Sequence, residues 1–344
     1  MIRVGIIGCG KIAQVRHLPE YAQNEQVNIA ALYDLNTQRA QTLAAQYGAR
    51  VAPTVQAMLD DPAIDAVSVC TANDSHAEIA CAALAAGKHV LCEKPMATTL
   101  ADCERMVALS REHGKYLMIG QNQRLAGAHV KARALIAAGE IGRPITFRTA
   151  FRHGGPETWS IDPGAGTWFF DRTRAVMGAM ADLGIHKTDL IQYLLNQTVV
   201  ETKATLCTLD KRLSDGSLIG VDDNAICLYT LSDGTVGTMT ASWTDYGAED
   251  NATVIWGTEG VLRIYDDPAH ALVLRRKSGE TVVYDVEEIQ TNDKQTQSGV
   301  IDLFVEMLQG KAEGITGESV LTAMRAVFAS IESSETGKAV RIGG

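Results

Sequence analysis

Two short stretches carry residues suited to moving a proton and to steadying negative charge on an oxygen. The first, "HVLCEKPMATTL" (89–100), puts Glu93 and Lys94 at the end of an apolar run and follows them with Pro95, which has no backbone N–H to give. A lysine at a buried strand end is costly unless something at the mouth of the sheet uses it. There an ammonium bonds a substrate oxygen and stabilises negative charge developing on it. The second, "MGAMADLGIHKTDLIQYLL" (177–195), spaces Asp182 and His186 at i, i+4, on one face of a helix or helix entry. A carboxylate next to an imidazole fixes its orientation and raises its basicity, as a general base needs. Asp189, three residues past His186, is a lesser candidate for the same orienting role.

A third stretch supplies a place for a cofactor. "GCGKIA", Gly8 to Ala13, has the G-x-G-x-x-A form: Gly8 permits the tight turn and Gly10 lets the backbone approach a pyrophosphate. Ala13 allows close helix–strand contact, and the helix start at Lys11 and Ile12 offers free N–H groups to the anion. Asp34 ends the second apolar run, 21 residues after Ala13, where such a fingerprint needs an acid. Its carboxylate accepts from ribose hydroxyls and repels a 2′-phosphate, which favours NAD, with NADP possible. Arg39 reads as a solvated helix residue.

These residues need elements to hold them. "IRVGII", "VNIAALY", "AVSVC", "KHVLC" and "KYLMIG" are short apolar runs separated by amphipathic stretches, which predicts an α/β, doubly wound parallel sheet over residues 1–121. Ser75 and Glu78, then Thr99 and Asp102, stand at capping-box spacing before two of the helices. From 122 to 344 the texture shifts to longer strands such as "PITFRTAFR" and "NAICLYTL", with turn signals at Asp233–Gly234, 257–260 and 277–279. That predicts a second α/β domain with a largely antiparallel sheet, accompanied by helices at 178–195, 298–309 and 317–333.

At 344 residues two domains are expected, and a net charge of −10 without a Lys/Arg cluster argues against nucleic-acid binding. No apolar run approaches a membrane span, and "MIRVGIIGCGK" reads as a first strand rather than a secretory leader, so the expected compartment is the cytoplasm. Seven cysteines without a CxxC pair make a disulfide framework unexpected. Cys70, Cys81, Cys92 and Cys103 recur every eleven residues, but alternate between strand and helix patterns; they read as small buried hydrophobes, with no metal expected.

"GCGKIA", "HAEIACAALAAGKHVLCEKP" and "GAMADLGIHKTDL" together resemble the glucose–fructose oxidoreductase / inositol dehydrogenase / MocA family, end to end. The resemblance implies an N-terminal Rossmann domain and a C-terminal α/β domain whose open sheet mediates homodimers or homotetramers. It also implies reversible hydride transfer between NAD(P) and a sugar, sugar derivative or polyol. Lys94, Asp182 and His186 match the family's catalytic positions. Thr71, Ala72 and Asn73 match its cofactor segment, with Ala72 where proline is usual; His76, Glu93 and Lys94 complete the implied cofactor set. A run of three glycines before the histidine motif reads Val176, Met177 and Gly178 here, which puts substrate assignment by analogy in doubt.

Further candidates line the approaches. Asn122 and Arg124 in "GQNQR" lie where cofactor or substrate is expected. Trp159, Trp168, Asp162, Asp171 and Arg172 in "HGGPETWSIDPGAGTWFFDRTR" offer aromatic faces and polar groups for a sugar ring. Arg152 and His153 are weaker candidates, read as structural or solvated. The expected reaction is oxidation of a secondary alcohol. His186 takes the proton, Asp182 orients it, and Lys94 either holds the oxygen or relays the proton. An NAD-dependent glycosidase and a non-catalytic dinucleotide-binding regulator are the alternatives.

Overall fold

The apolar runs of the first 120 residues lie side by side in parallel. In the computed structural model, which describes residues 1–287, 289 and 297–343, the strands are β1 (Ile2–Ile7), β2 (Val27–Tyr33), β3 (Arg50–Val51), β4 (Ala66–Val69), β5 (His89–Cys92) and β6 (Leu117–Ile119). They form one sheet in the order β3-β2-β1-β4-β5-β6, parallel at every pairing. The order reverses between β1 and β4, and a doubly wound sheet opens its ligand crevice at the carboxyl ends of the strands at such a point. β4 is buried along its whole length, as a strand covered on both faces must be.

The helices that follow these strands are α1 (Leu18–Gln23), α2 (Thr37–Tyr47), α3 (Val55–Leu59), α4 (His76–Ala85) and α5 (Leu100–Glu112). Thr99 caps α5 as expected, its hydroxyl oxygen accepting the Asp102 N–H at 3.1 Å. The capping box expected at α4 does not form. Ser75 already has helical dihedrals (φ −100°, ψ −6°), whereas a side-chain cap needs an extended residue. Its hydroxyl instead bonds Thr71 Oγ1 and the Ala72 carbonyl. The evenly spaced cysteines are all buried.

The second sheet is mixed. After α6 (Gly127–Ala137) come β7 (Pro144–Arg152), α7 (Ile185–Leu195), β8 (Val199–Cys207), β9 (Asn224–Leu231) and β10 (Val236–Ser242). β11 (Thr253–Gly257), β12 (Gly260–Ile264), β13 (Leu272–Arg276) and β14 (Thr281–Tyr284) complete the main run. The order is β14-β13-β12-β11-β7-β10-β9-β8, antiparallel throughout except for β7 beside β10. Alternation decides the faces: in β9 Ala225, Cys227, Tyr229 and Leu231 point inward, while Ile226 and Leu228 are exposed.

The expected boundary at 121/122 falls one residue early, and it is not the only one. One compact unit comprises Met1–Asn122 with the described residues of Gln290–Leu321; the other comprises Gln123–Ile289 and Thr322–Gly344. The assignment of everything after 122 to one domain is therefore corrected. The returning segment joins the first unit because α8 (Val300–Leu308) buries Ile301, Phe304 and Val305 there. Glu20 accepts from the Ser298 N–H and hydroxyl, and Asn24 donates to Asp302. The second crossing lies inside α9 (Gly317–Thr336), whose Ser330, Ser333 and Ser334 bond the edge of β8. β15 (Val340–Arg341) then pairs antiparallel with β8.

Candidate active site

In the first unit, Gly8 has φ +92°, and a Cβ there would lie 2.7 Å from the Cys70 carbonyl group, so the loops after β1 and β4 touch only because Gly8 lacks a side chain. Nothing lies within 4 Å of the Cβ position of Gly10, which leaves the backbone open to an approaching anion. The helix begins at Lys11 and is π-wound over Ala13–His17; its first N–H groups have no carbonyl ahead of them in the helix. Asp34 is fixed at the end of β2 by the Cys9 N–H (2.6 Å) and the Asn36 N–H (2.7 Å). Arg39 is not simply solvated: its Nη1 lies 3.9 Å from Asp34 Oδ1. Open cradle, helix start and the fixed Asp34 carboxylate together fit a dinucleotide.

The loops after β4 and β5 hold the remaining candidates. Ala72 has φ −73°, within the range of the proline it replaces, so the turn that carries Thr71 and the buried Asn73 keeps its form. His76 sets Nδ1 2.8 Å from the Pro95 carbonyl and Nε2 3.1 Å from the Thr71 carbonyl. Burial pushes its pKa down despite both carbonyls, and a neutral ring donates to only one of them. His76 thus ties the two loops together. Asn122 opens the turn that follows β6.

Glu93 is held in a network of its own. Its Oε1 accepts from Arg16 Nη1 (3.1 Å) and His17 Nε2 (2.8 Å), and its Oε2 from the Lys94 N–H (3.3 Å). Burial works to raise the Glu93 carboxyl, but the Arg16 charge, the His17 bond and the Lys94 ammonium outweigh it and hold it well below the usual range. A Cβ at Gly120 would come within 3.0 Å of this carboxyl, so glycine after β6 makes room for it. The result is a rigid seat for the half-buried Lys94.

In the second unit the decisive anchor is Asp222. Its Oδ1 accepts the Gly178 N–H (2.8 Å), its Oδ2 the Met180 N–H (2.7 Å), and its carbonyl the Ala179 N–H (2.8 Å). Three N–H groups at a helix start are satisfied by one residue. A Cβ on Gly178 would overlap the Asp222 carbonyl oxygen, so of the three positions read against family glycines this one must remain glycine. Val176 has φ +64°, a left-handed backbone that costs a β-branched residue of order 1–3 kcal/mol.

Beyond this cap the chain is π-wound over Met180–Gly184 and continues as α7; such turns recur at functional sites. Asp182 and His186 are both buried. Trp243 Nε1 donates to Asp182 Oδ2 at 3.1 Å. His153 Nδ1 accepts the Gly155 N–H at 2.9 Å, which leaves the proton of a neutral ring on Nε2, 3.9 Å from the same Asp182 oxygen. The Phe151 ring lies 6.0 Å from His186 and 5.8 Å from His153. His153 is therefore part of the set rather than solvated. Trp243 and Asp222 escape the sequence reading, although the acid pair Asp222–Asp223 immediately before a strand is a visible signal.

Other candidates have different work. Arg124 places Nε 2.7 Å and Nη2 2.5 Å from the two Asp189 oxygens. This bidentate pair holds Asp189 on Arg124 rather than on His186. Trp168 stacks on Phe169 at 3.9 Å, and the exposed Asp171 bonds Thr173 in its own turn. Trp159 packs edge-on to His153, and its buried Nε1 has no partner among the described residues. Lys187, unremarked in the sequence, is fully buried and donates to the Asn251 carbonyl at 2.8 Å. Burial draws its pKa down to about 7 despite Asp250 and Glu249.

A doubly wound sheet with this cradle, followed by a buried carboxylate–imidazole set, defines a dinucleotide-binding oxidoreductase. Residues 2–121 match an oxidoreductase family with an NAD-binding Rossmann fold, and residues 129–263 match the GFO/IDH/MocA C-terminal domain. The chain belongs to the Gfo/Idh/MocA family, as its motifs suggest. It is 28% identical to 1,5-anhydro-D-fructose reductase of Ensifer adhaerens, over 99% of each chain. It is also 28% identical to D-glucoside 3-dehydrogenase of Escherichia coli K12, over 99% of this chain and 97% of that one. A levoglucosan dehydrogenase in complex with NADH and levoglucosan shares the fold, with a TM-score of 0.87 at 23% identity over the whole of both chains.

Proposed function

We propose that this protein transfers a hydride between NAD and a secondary alcohol of a sugar, sugar derivative or cyclitol. The observation that carries the reading is the buried Asp182, which takes the Trp243 N–H and lies 3.9 Å from His153, four residues before the buried His186, in a chain with an NAD-binding unit. The names of the relatives support a carbohydrate substrate. Bound NAD supplies the hydride acceptor. Gly10 and the helix start at Lys11 and Ile12 hold its pyrophosphate, Asp34 its ribose, and Thr71, Asn73 and Asn122 flank it. His186 takes the hydroxyl proton, Asp182 holds the imidazole in register and stabilises its charge, and Lys94 bonds the reacting oxygen. The test is an absorbance screen at the NADH band, with NAD and NADP, against inositols, aldoses, anhydro-sugars and glycosides. Accumulating NADH supports the reading, glycoside cleavage without NADH transfers it to transient oxidation, and no turnover of any kind overturns it.

Asp34 supports NAD over NADP, since a carboxylate fixed at the end of β2 would accept from ribose hydroxyls and repel a 2′-phosphate. Asp34→Ser removes charged acceptors for two hydroxyls, each bond worth about 1.5–3 kcal/mol. The ratio of kcat/KM for NAD to that for NADP is expected to fall by ~10² or more, and an unchanged ratio would refute the role.

The outer face of the second sheet supports a homo-oligomer. Ile226 and Leu228 on β9 and Val236 on β10 are 57%, 52% and 43% exposed on one face, an apolar strip that a second copy would cover. Ile226→Asp with Leu228→Asp is expected to convert the oligomer to monomer in light scattering; a wild type monomeric at micromolar concentration would rule this out. Among the described residues no helix is long and apolar enough to cross a membrane. All seven cysteines are free thiols, which supports a reducing compartment such as the cytoplasm.

A further inference from the structure

We propose that Lys187 is a positioning residue for the general base: its ammonium ties the catalytic helix to the segment before β11 and sets a positive charge within reach of His186, which keeps that imidazole neutral and able to accept a proton. The inference rests on the sugar dehydrogenase reading and deepens it. Lys187 follows His186 in α7 and is fully buried. Its Nζ donates to the Asn251 carbonyl at 2.8 Å. Asn251 is held in turn by both ends of its amide, Oδ1 accepting from Gln123 Nε2 at 2.9 Å and Nδ2 donating to Glu249 at 2.6 Å. The tether therefore ends on a fixed point. A buried ammonium is costly where an apolar side chain would pack as well.

The Phe151 ring relates the two groups. Lys187 Nζ lies 5.9 Å from its centroid and the His186 ring 6.0 Å from it. The charge and the imidazole are thus about 12 Å apart at most, and inside a protein a unit charge at that distance moves an ionisation by about one pH unit. One imidazole already feels this ammonium: burial first and Lys187 second draw His129, on α6, down to about 3. The other charged groups that face Lys187 are Asp250 and Glu249, from the segment before β11, and Glu249 also faces Asp182. On α7 Asp189 is taken by Arg124, and on β7 Arg152 lies 3.5 Å from Asp245. Burial draws Lys187 down to about 7, so it carries its charge over the range below neutrality where an imidazole ordinarily titrates.

The experiment compares wild type with Lys187→Met, which fills the space without charge, and Lys187→Gln, which keeps an N–H for the Asn251 carbonyl. Carbon-13 labelling of the histidine rings reports each imidazole by NMR, and the His186 signal is the one missing from His186→Asn. Both lysine variants are expected to raise the His186 ionisation by about one pH unit. The acidic limb of the kcat/KM profile, measured with the substrate found in the panel, is expected to move upward with it. A side chain that only packs would change the height of the profile and the melting temperature but not the limb. A His186 ionisation within about 0.3 unit of wild type in either folded variant overturns the inference and leaves the dehydrogenase reading intact. A wild type that turns over none of the sugars overturns both.

Discussion

Alanine at His186 is expected to lower turnover of the true substrate by ~10²–10⁴, the range for losing a general acid–base group, while NAD binding stays near wild type. The reason lies in what surrounds the ring. Asp182, which holds the imidazole in the proposed reaction, is buried and takes the Trp243 N–H at 3.1 Å, so it has little solvent with which to replace the lost partner. Alanine at Lys94 is expected to cost a similar factor, for a different reason: charge developing on the substrate oxygen loses its ammonium. The two are separable by pH. The His186 variant loses an ionisation from the kcat/KM profile, whereas the Lys94 variant keeps it and loses height. The measurement is initial NADH formation with the substrate found in the panel. Wild-type rates in either variant would remove that residue from the mechanism.

What the sequence makes legible here is what local pattern controls. "GCGKIA" specifies a turn, a helix start and an acid one strand later, all within one βαβ unit, and Gly8, Gly10 and Asp34 stand where that spacing requires. Strand runs such as 144–152 and 224–231 carry their own period and were read to the residue. The missing parts are set by distance along the chain. Glu93 is separated by 77 residues from Arg16 and by 76 from His17, Asp182 by 61 from Trp243, and Gly178 by 44 from Asp222. No spacing rule reaches across such gaps, because the partner is chosen by which loops the sheet brings to one end. Arg124 follows the same rule: Asp189, 65 residues on, offers a planar carboxylate that its fork takes bidentately. The return of α8 to the first unit was hidden for the same reason, since an amphipathic helix shows that it will be covered but not by what.

The buried carboxylate at the mouth of the first sheet gives the largest expected effect on stability. Glu93→Ala leaves the Arg16 guanidinium, itself buried, facing an empty space; removing one partner of a buried pair costs about 3–5 kcal/mol. Glu93→Gln fills the space but lacks the charge, and should fall between. The pH dependence follows from the direction of the shift. The folded Glu93 carboxyl titrates below its ordinary value, while in the unfolded chain it titrates near 4.3. Its contribution is therefore complete above about pH 4.3 and is lost as the pH falls toward the folded value. The gap in urea midpoint between wild type and Glu93→Gln should be level from pH 7 to about 4.3 and narrow below that. A gap that stays constant from pH 7 down to pH 3, or a Glu93→Ala variant within 1 kcal/mol of wild type, would show that the carboxylate is not what anchors this loop. Because the Glu93 carboxyl also accepts the Lys94 N–H, the neutral-pH variants should lose turnover beyond what their folded fraction explains. The loss should appear in kcat more than in KM for NAD, as expected of a residue that acts on the reaction only by aiming another.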